Sequence, residues 1–342
     1  MSLRFSIVYT TGTVKYLLLC VLSLLKWSNA SFRLVANACS PEEVRLLQRL
    51  CETNPRLEYV AAPSRTIMRH GELLDYLQSL EGSQYFCFMD SDILATGDFL
   101  SEMARCLTEY AGVFCGTPIW CKAEEQVLPE DLPSIPGHCN RTAEGLSLGS
   151  SYFAIYDNRI LTQFMRSMPV GFNRYQWSDL PARCQSQLTQ MGLEKTRYDT
   201  GKLLNILLGA DGQPLCFQES APLQHIGGVS AQAARRSAMR LGKRPKSIQW
   251  RPAKGLRRWI RRLARTHGAR RPDEGAMDDG LRALQVRRRK SAIYFHQLFR
   301  SLYEDEPLPA IPQVGDGEIR RRVESATASI VSVYEEFAER LV

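Results

Sequence analysis

The chain has 342 residues, 44% of them apolar and 9% aromatic, with a formal net charge of +8 at pH 7. This length and apolar content exclude a disordered chain or a minimal disulfide-stapled scaffold, and leave room for one large domain or a domain with an appendage. The charge is unevenly spread: from Ala231 to Arg300 about twenty Lys and Arg stand against only Asp273, Glu274, Asp278 and Asp279, so the basic character belongs to the C-terminal third and marks a second functional region.

Ser6 to Tyr9 reads as a short apolar strand, Thr10 to Thr13 as a turn and Val14 to Trp27 as a helix. The run "YLLLCVLSLL" after Lys15, with Ser28-Asn29-Ala30 behind it, has the look of a signal peptide. It is too short to span a bilayer and follows a strand-like segment, so a buried first helix is expected. Phe32 to Asn37 is a second strand. Ser40-Pro41-Glu42-Glu43 then supplies an N-cap serine, a proline at the first helical position and acids in the first turn of a helix running to about Cys51.

Leu57 to Ala61 gives a third strand, His70 to Leu80 a helix, and Gln84 to Met89 a fourth strand. Strands apolar on both faces and alternating with helices predict an α/β fold with a mostly parallel sheet covered on both sides. Beyond Asp98 the expected elements are a helix over Phe99 to Tyr110, a strand over Gly112 to Thr117, a Pro-rich loop over Ala123 to Arg141, a strand over Ser147 to Asp157, and a helix over Asn158 to Met165. A helix capped by its own aspartate follows over Asp199 to Leu208. The ten cysteines show no CxxC pair or zinc-like spacing, and Cys20, Cys87 and Cys115 sit inside apolar runs; this predicts buried thiols in a reducing, cytoplasmic setting.

The chemistry is announced by "YFCFMDSDIL", Tyr85 to Leu94. Asp90 and Asp92 end a buried strand, at the sheet edge where ligands of such folds bind. Two carboxylates one residue apart repel unless something positive sits between them. A hard divalent cation, Mn²⁺ or Mg²⁺, is the simplest answer, because such ions take oxygen ligands and complete their shells with substrate phosphates.

A first strand followed by "TTG", the "DSD" ending the fourth strand, "GSSYFAIYDNRIL", "YDTGKLLNILL" and "LQHIGGVS" together resemble the GT-A fold glycosyltransferases, especially the bacterial enzymes of glycosyltransferase family two. The resemblance covers roughly residues 1 to 230. It implies a GT-A catalytic domain over 1–230 and a basic, mainly helical region over 231–342. It further implies transfer of a sugar from a UDP-, GDP- or dTDP-sugar to an acceptor hydroxyl on a glycan or lipid-linked acceptor.

In that likeness Asp92 binds the metal directly, Asp90 contacts the donor ribose or the metal shell with Ser91 beside it, and His225 is a third ligand. Thr10, Thr11 and Gly12 match the nucleoside-binding loop. Arg65 and Arg69 approach the diphosphate, and His70 lies near the sugar. An inverting enzyme needs a carboxylate base for the acceptor proton. Asp199 matches its place, although the chain reads "RYDTG" where the family has a Glu-Asp pair, and Asp179 in "QWSDL" is the rival.

From Leu256, "LRRWIRRLART" spaces Leu256, Trp259, Ile260 and Leu263 as one apolar helix face with arginines around it. Such a helix packs on its own domain, lies on an anionic membrane at the inner face, or binds nucleic acid; the last is disfavoured by the lack of a reading module. Ile293 to Tyr303 and Ile319 to Leu341 read as two further helices. Two other readings of the whole chain stand beside the transferase: a nucleotidyltransferase, for which "TTGTVK" is a poor phosphate loop, and a non-catalytic relative binding membrane or polyanion through its basic tail.

Overall fold

The computed structural model describes residues 3–121, 140–141, 147–148, 152–193, 197–233 and 273–341. The basic segment from Leu256 lies outside the described residues, as does most of the Pro-rich loop. The first half alternates strictly: β1 (Arg4–Thr10), α1 (Val14–Trp27), β2 (Ser31–Asn37), α2 (Pro41–Thr53), β3 (Leu57–Ala61), α3 (His70–Ser79) and β4 (Tyr85–Asp90). Then come β5 (Ile93–Ala95), α4 (Leu100–Cys106), β6 (Gly112–Phe114), the short pair β7 (Asn140–Arg141) and β8 (Ser147–Leu148), β9 (Phe153–Asp157) and α5 (Asn158–Ser167). The rest comprises β10 (Tyr175–Gln176), α6 (Ala182–Gln190), β11 (Arg197–Tyr198), α7 (Lys202–Ala210), β12 (Leu215–Phe217), β13 (Leu223–His225) and two long helices, α8 (Asp273–Tyr303) and α9 (Gly317–Leu341).

Seven strands form the main sheet in the order β12-β6-β9-β4-β1-β2-β3. All are parallel except β9, which runs antiparallel between β4 and β6. Successive residues of a strand point to opposite faces. Phe5, Ile7, Cys87 and Met89 accordingly enter one core, and Val8, Phe86 and Phe88 the other. The first core is closed by α1 and by the apolar faces of α8 and α9, through residues such as Phe295, Leu298, Val323 and Ile330. The second is closed by α3, α5, α6 and α7. Having sheet on one side and the C-terminal helices on the other, α1 is buried along most of its length, which accounts for its nearly unbroken apolar run.

The turn between β1 and α1 is fixed by Glu43. Its carboxylate accepts from Gly12 N at 2.7 Å, Val14 N at 3.3 Å and the Thr11 hydroxyl at 3.2 Å, and from Ser40 N at 3.0 Å within the capping box of α2. One acid thus serves the amino ends of two helices, and α1 needs it because Thr13 makes no side-chain cap of its own.

Several expected elements end sooner than their sequence pattern. The strand from Gly112 stops at Phe114, before Gly116 at φ 103° and Pro118. The helix expected from Asp199 begins at Lys202, behind Gly201 at φ 74°; the Asp199 carboxylate is drawn to Arg174 and to Thr200 N rather than to the helix end. Cys20, Cys39, Cys51, Cys87, Cys106 and Cys184 are free thiols. No helix among the described residues is long and apolar enough to cross a membrane.

Candidate active site

Three elements meet at the carboxyl end of β4. The strand delivers Asp90, the chain turns through Ser91 and Asp92, and β5 leaves antiparallel to β13, with Ile93 opposite His225. Ile226 N donates to the Asp92 carbonyl at 3.0 Å, and Val229 N to Asp92 Oδ2 at 3.1 Å. Residues far apart in sequence are therefore registered by backbone pairing rather than by side-chain chance.

The imidazole of His225 is buried, with Nδ1 3.0 Å from the Gly116 carbonyl. A carbonyl only accepts, so Nδ1 carries the proton and Nε2 offers a lone pair. Nε2 has no hydrogen-bond partner and lies 3.6 Å from Asp92 Oδ1 and 3.8 Å from Asp90 Oδ2. The three ligand atoms fall within 4.8 Å of one another. An ion bonded at about 2.1 Å bridges donors up to about 4.2 Å apart, so the histidine gaps suit Mn²⁺ or Mg²⁺, and the two carboxylates with one imidazole favour Mn²⁺. A buried, unpaired Nε2 facing two carboxylates is the observation that a cation satisfies.

The electrostatics agree. Burial and the neighbouring Asp92 push the Asp90 carboxyl up to about 7, against a smaller pull from His225. Burial disfavours the His225 imidazolium, but Asp92, Asp90 and the Gly116 carbonyl outweigh it and raise its pKa. Both shifts favour the protonated form of each group when no cation is bound. The ring of Tyr152 packs on His225 with centroids 4.1 Å apart, and its carbonyl accepts from Asp90 N, fixing strand and imidazole together.

A cavity of about 370 Å³ opens above this cluster. Of the residues singled out in the sequence, Thr10, His70, Asp90, Ser91, Asp92 and His225 line it. Ser91 is buried, its hydroxyl 3.3 Å from that of Ser230. Thr11 and Gly12 face a second cavity of about 330 Å³ with Lys15, Glu43 and Arg300. Arg65 and Arg69 are exposed, and Arg69 pairs with Glu72 at 3.8 Å; Ile67 and Met68 between them face the main cavity instead. Asp199 is buried and ion-paired with Arg174 at 2.5 Å. Asp179 stands exposed, accepting from the Ser178 hydroxyl. Neither acid lines the cavity.

Among the lining residues that were not singled out in the sequence are Asn37, Trp120, Tyr152 and Arg288. Asn37 ends β2 and uses both ends of its amide on the backbone of Met68, at 3.0 and 2.9 Å, which anchors the 64–69 loop at the rim. A polar residue closing an apolar strand was its only signal. Tyr152 lay inside a quoted motif, whereas Trp120 and Arg288 had no local pattern.

The seven-stranded, mostly parallel sheet thus carries an Asp-x-Asp turn at the carboxyl end of its fourth strand, with the histidine supplied by a small second sheet. No protein-family model matches the chain, and no curated protein matches it. Among solved structures it is similar to S. aureus TarS, with a TM-score of 0.42 and 11% identity over 98% of this chain and 54% of that one. It is also similar to the mannosyltransferase PcManGT from Pyrobaculum calidifontis in complex with GDP-Man and Mn²⁺, at 0.42 and 12% over 97% and 86%. A third likeness is to the galactosyltransferase LgtC with donor and acceptor sugar analogues, at 0.37 and 12% over 63% and 73%. The chain thus spans about half the length of TarS.

Proposed function

We propose that the protein is a divalent-metal-dependent glycosyltransferase, moving a sugar from a nucleotide-diphosphate sugar to an acceptor hydroxyl in glycan, polysaccharide or glycolipid synthesis. The observation that carries this reading is the convergence of Asp90, Asp92 and the unpaired Nε2 of His225 at the floor of an open cavity. Asp92 and His225 would hold Mn²⁺ or Mg²⁺ with Asp90 beside them. When bound, the ion supplies Lewis-acid stabilisation of the departing diphosphate.

The chain's own residues do the rest. Thr10 and the Asn37-anchored rim receive the nucleoside end, and His70 faces the sugar. The acceptor oxygen bonds to the anomeric carbon as the carbon–oxygen bond to the phosphate breaks; the electron pair leaves with the nucleoside diphosphate and the acceptor proton passes to a base. We assign that base to Asp199 on the strength of the resemblance, which puts a carboxylate at this place in the chain; its ion pair with Arg174 would have to open for it to reach an acceptor. Contact with a membrane surface through the basic segment, at the inner face, belongs to the same proposal.

The test is calorimetric titration of UDP, GDP and dTDP with and without Mn²⁺, repeated on Asp92→Ala and His225→Ala. Metal-dependent binding of one nucleotide, lost in both variants, is the expected result. Binding of none, or binding indifferent to metal and to both substitutions, overturns the reading.

A further inference from the structure

The imidazole of His225 is aimed by a segment that lies beyond the main sheet. The chain leaves β6 at Phe114, turns at Gly116 with φ 103°, and there offers the carbonyl that accepts from His225 Nδ1. Further on, Ile119 N donates to the His225 carbonyl at 2.9 Å, and Cys121 N closes a turn onto the Pro118 carbonyl at 2.9 Å. Residues 116–121 thus grip His225 by ring and by backbone, and a shift of this segment would move the carbonyl that sets the tautomer.

The turn leans on the last helix of the chain. Ile319, Val323, Ala326 and Ile330 are buried and seat α9 in the first core. From that fixed helix Arg322 donates to the Pro118 carbonyl at 3.2 Å and also to the Cys121 carbonyl, the two ends of the turn. The Pro118 carbonyl has two lone pairs and so takes both Arg322 and Cys121 N. Two helical turns along the same face, the Ser329 hydroxyl accepts from Gln224 Nε2 at 3.3 Å, so α9 also holds β13 one residue before His225. A guanidinium suits the first of these tasks, since its planar fork reaches two acceptors at once, whereas an ammonium is a single point of attachment.

We infer that Arg322 is a positioning residue for the metal-binding histidine. It pins the 118–121 turn, the turn keeps the Gly116 carbonyl on Nδ1, and the Nε2 lone pair stays turned towards Asp90 and Asp92. Released from that carbonyl, the ring can carry its proton on Nε2 and donate to Asp92 Oδ1, 3.6 Å away, which closes the site to a cation. The inference rests on the divalent-metal reading above and extends it to a helix outside the resemblance, which ends near residue 230. Charge and position make opposite predictions here. Removing a cation from the turn beside the cluster would, by Coulomb's law alone, tighten the hold on Mn²⁺, whereas loss of the aimed imidazole weakens it.

The test uses the full chain and Mn²⁺, alone and with UDP, GDP or dTDP. Electron paramagnetic resonance reads the free ion, and nitrogen modulation of the electron spin echo reads imidazole ligation. Arg322→Met, which keeps the aliphatic stem, is expected to weaken Mn²⁺ roughly 10- to 100-fold and to lose the imidazole nitrogen signal, as His225→Ala does. Arg322→Lys, which keeps the charge and one attachment, is expected to lose less, and takes its place if the Met variant melts early. Unchanged or tighter Mn²⁺ binding in the variant used overturns the inference. So does weaker binding with the nitrogen signal intact, which makes Arg322 a prop of the fold alone. Failure of wild type to bind Mn²⁺ under any of these conditions instead sinks the metal reading itself, and this inference with it, before any variant is made.

Discussion

Gly228 lies against Ala292 so closely that a Cβ on the glycine would stand 3.1 Å from the alanine Cβ. One residue earlier, a Cβ on Gly227 would fall 2.7 Å from Trp120 Nε1, and both glycines have positive φ, 77° and 88°. The segment after His225 thus needs glycine twice over, for conformation and for clearance.

Gly227→Ala is expected to be the worse substitution, costing about 1–3 kcal/mol in backbone strain before the displacement of Trp120 is added. Gly228→Ala combined with Ala292→Gly should recover the packing part of its loss and leave the strain. Thermal melts of the three variants, with Mn²⁺ titrations alongside, check this; equal melting of Gly227→Ala and wild type would contradict it.

The metal-free site destabilises the fold as pH rises. Asp90 is raised from 3.8 to about 7, so the folded state binds more protons than the unfolded one between those values. His225 is raised above 6.5, and its contribution, present below 6.5, is lost as pH climbs through its folded value. Both terms carry the same sign. In EDTA the melting temperature should fall from pH 5 to pH 8, less steeply in Asp90→Asn. Mn²⁺ should raise it more at pH 8 than at pH 5, since the ion displaces those protons. A metal-induced gain equal at the two pH values would count against the ligand assignment.

At the opposite end of the sheet, the Glu81 side chain is 1% exposed and receives Arg4 at 2.8 Å and Arg33 at 3.4 Å. Glu81→Gln leaves the buried Arg33 poorly compensated, and about 3–5 kcal/mol of stability should go with it. Burial pushes the Glu81 carboxyl up, but Ser83 and Arg4 outweigh it and hold it below 4.5. Its stabilisation is therefore full above pH 4.5 and lost as pH falls through the folded value. Urea unfolding at pH 7 and pH 3 should show the gap between variant and wild type closing in acid.

If Asp199 takes the acceptor proton, Asp199→Asn should slow transfer by about 10²–10⁴ while leaving nucleotide affinity untouched. A fall in melting temperature with the rate preserved would instead assign the residue to its ion pair with Arg174. Single-turnover transfer and calorimetry on the same preparation separate the two.

The parallel half of the fold was legible because local signals and tertiary demands coincide there. Ser40, Pro41 and Glu43 form the capping box their order announces, and α1 and β3 fall on the residues expected. The grouping of Asp90, Asp92 and His225, which could hold a metal ion, was legible too, since Asp90 and Asp92 end a buried strand and the resemblance singles out His225. Other features depend on information that the local pattern does not hold. A buried strand looks alike in either direction, so the antiparallel setting of β9 was invisible, and the strand expected from Ser147 resolves into β8 and a β9 that starts at Phe153. The helix expected from Ile293 starts at Asp273, because a run of arginines has no apolar period to read. Arg288 was one basic residue among many there, and only packing distinguishes it.

The burial of α1 bears on how the protein is made. Its apolar face toward α8 and α9 is complete early in synthesis, whereas the helix that finishes covering it, Gly317–Leu341, emerges roughly 5–20 s after residue 230 at about 5–20 residues per second. Throughout that interval the nascent polypeptide presents a greasy surface beside the tunnel exit, a natural client for a ribosome-associated chaperone. A stop codon near residue 233 would make that exposure permanent, yielding inclusion bodies rather than a smaller enzyme.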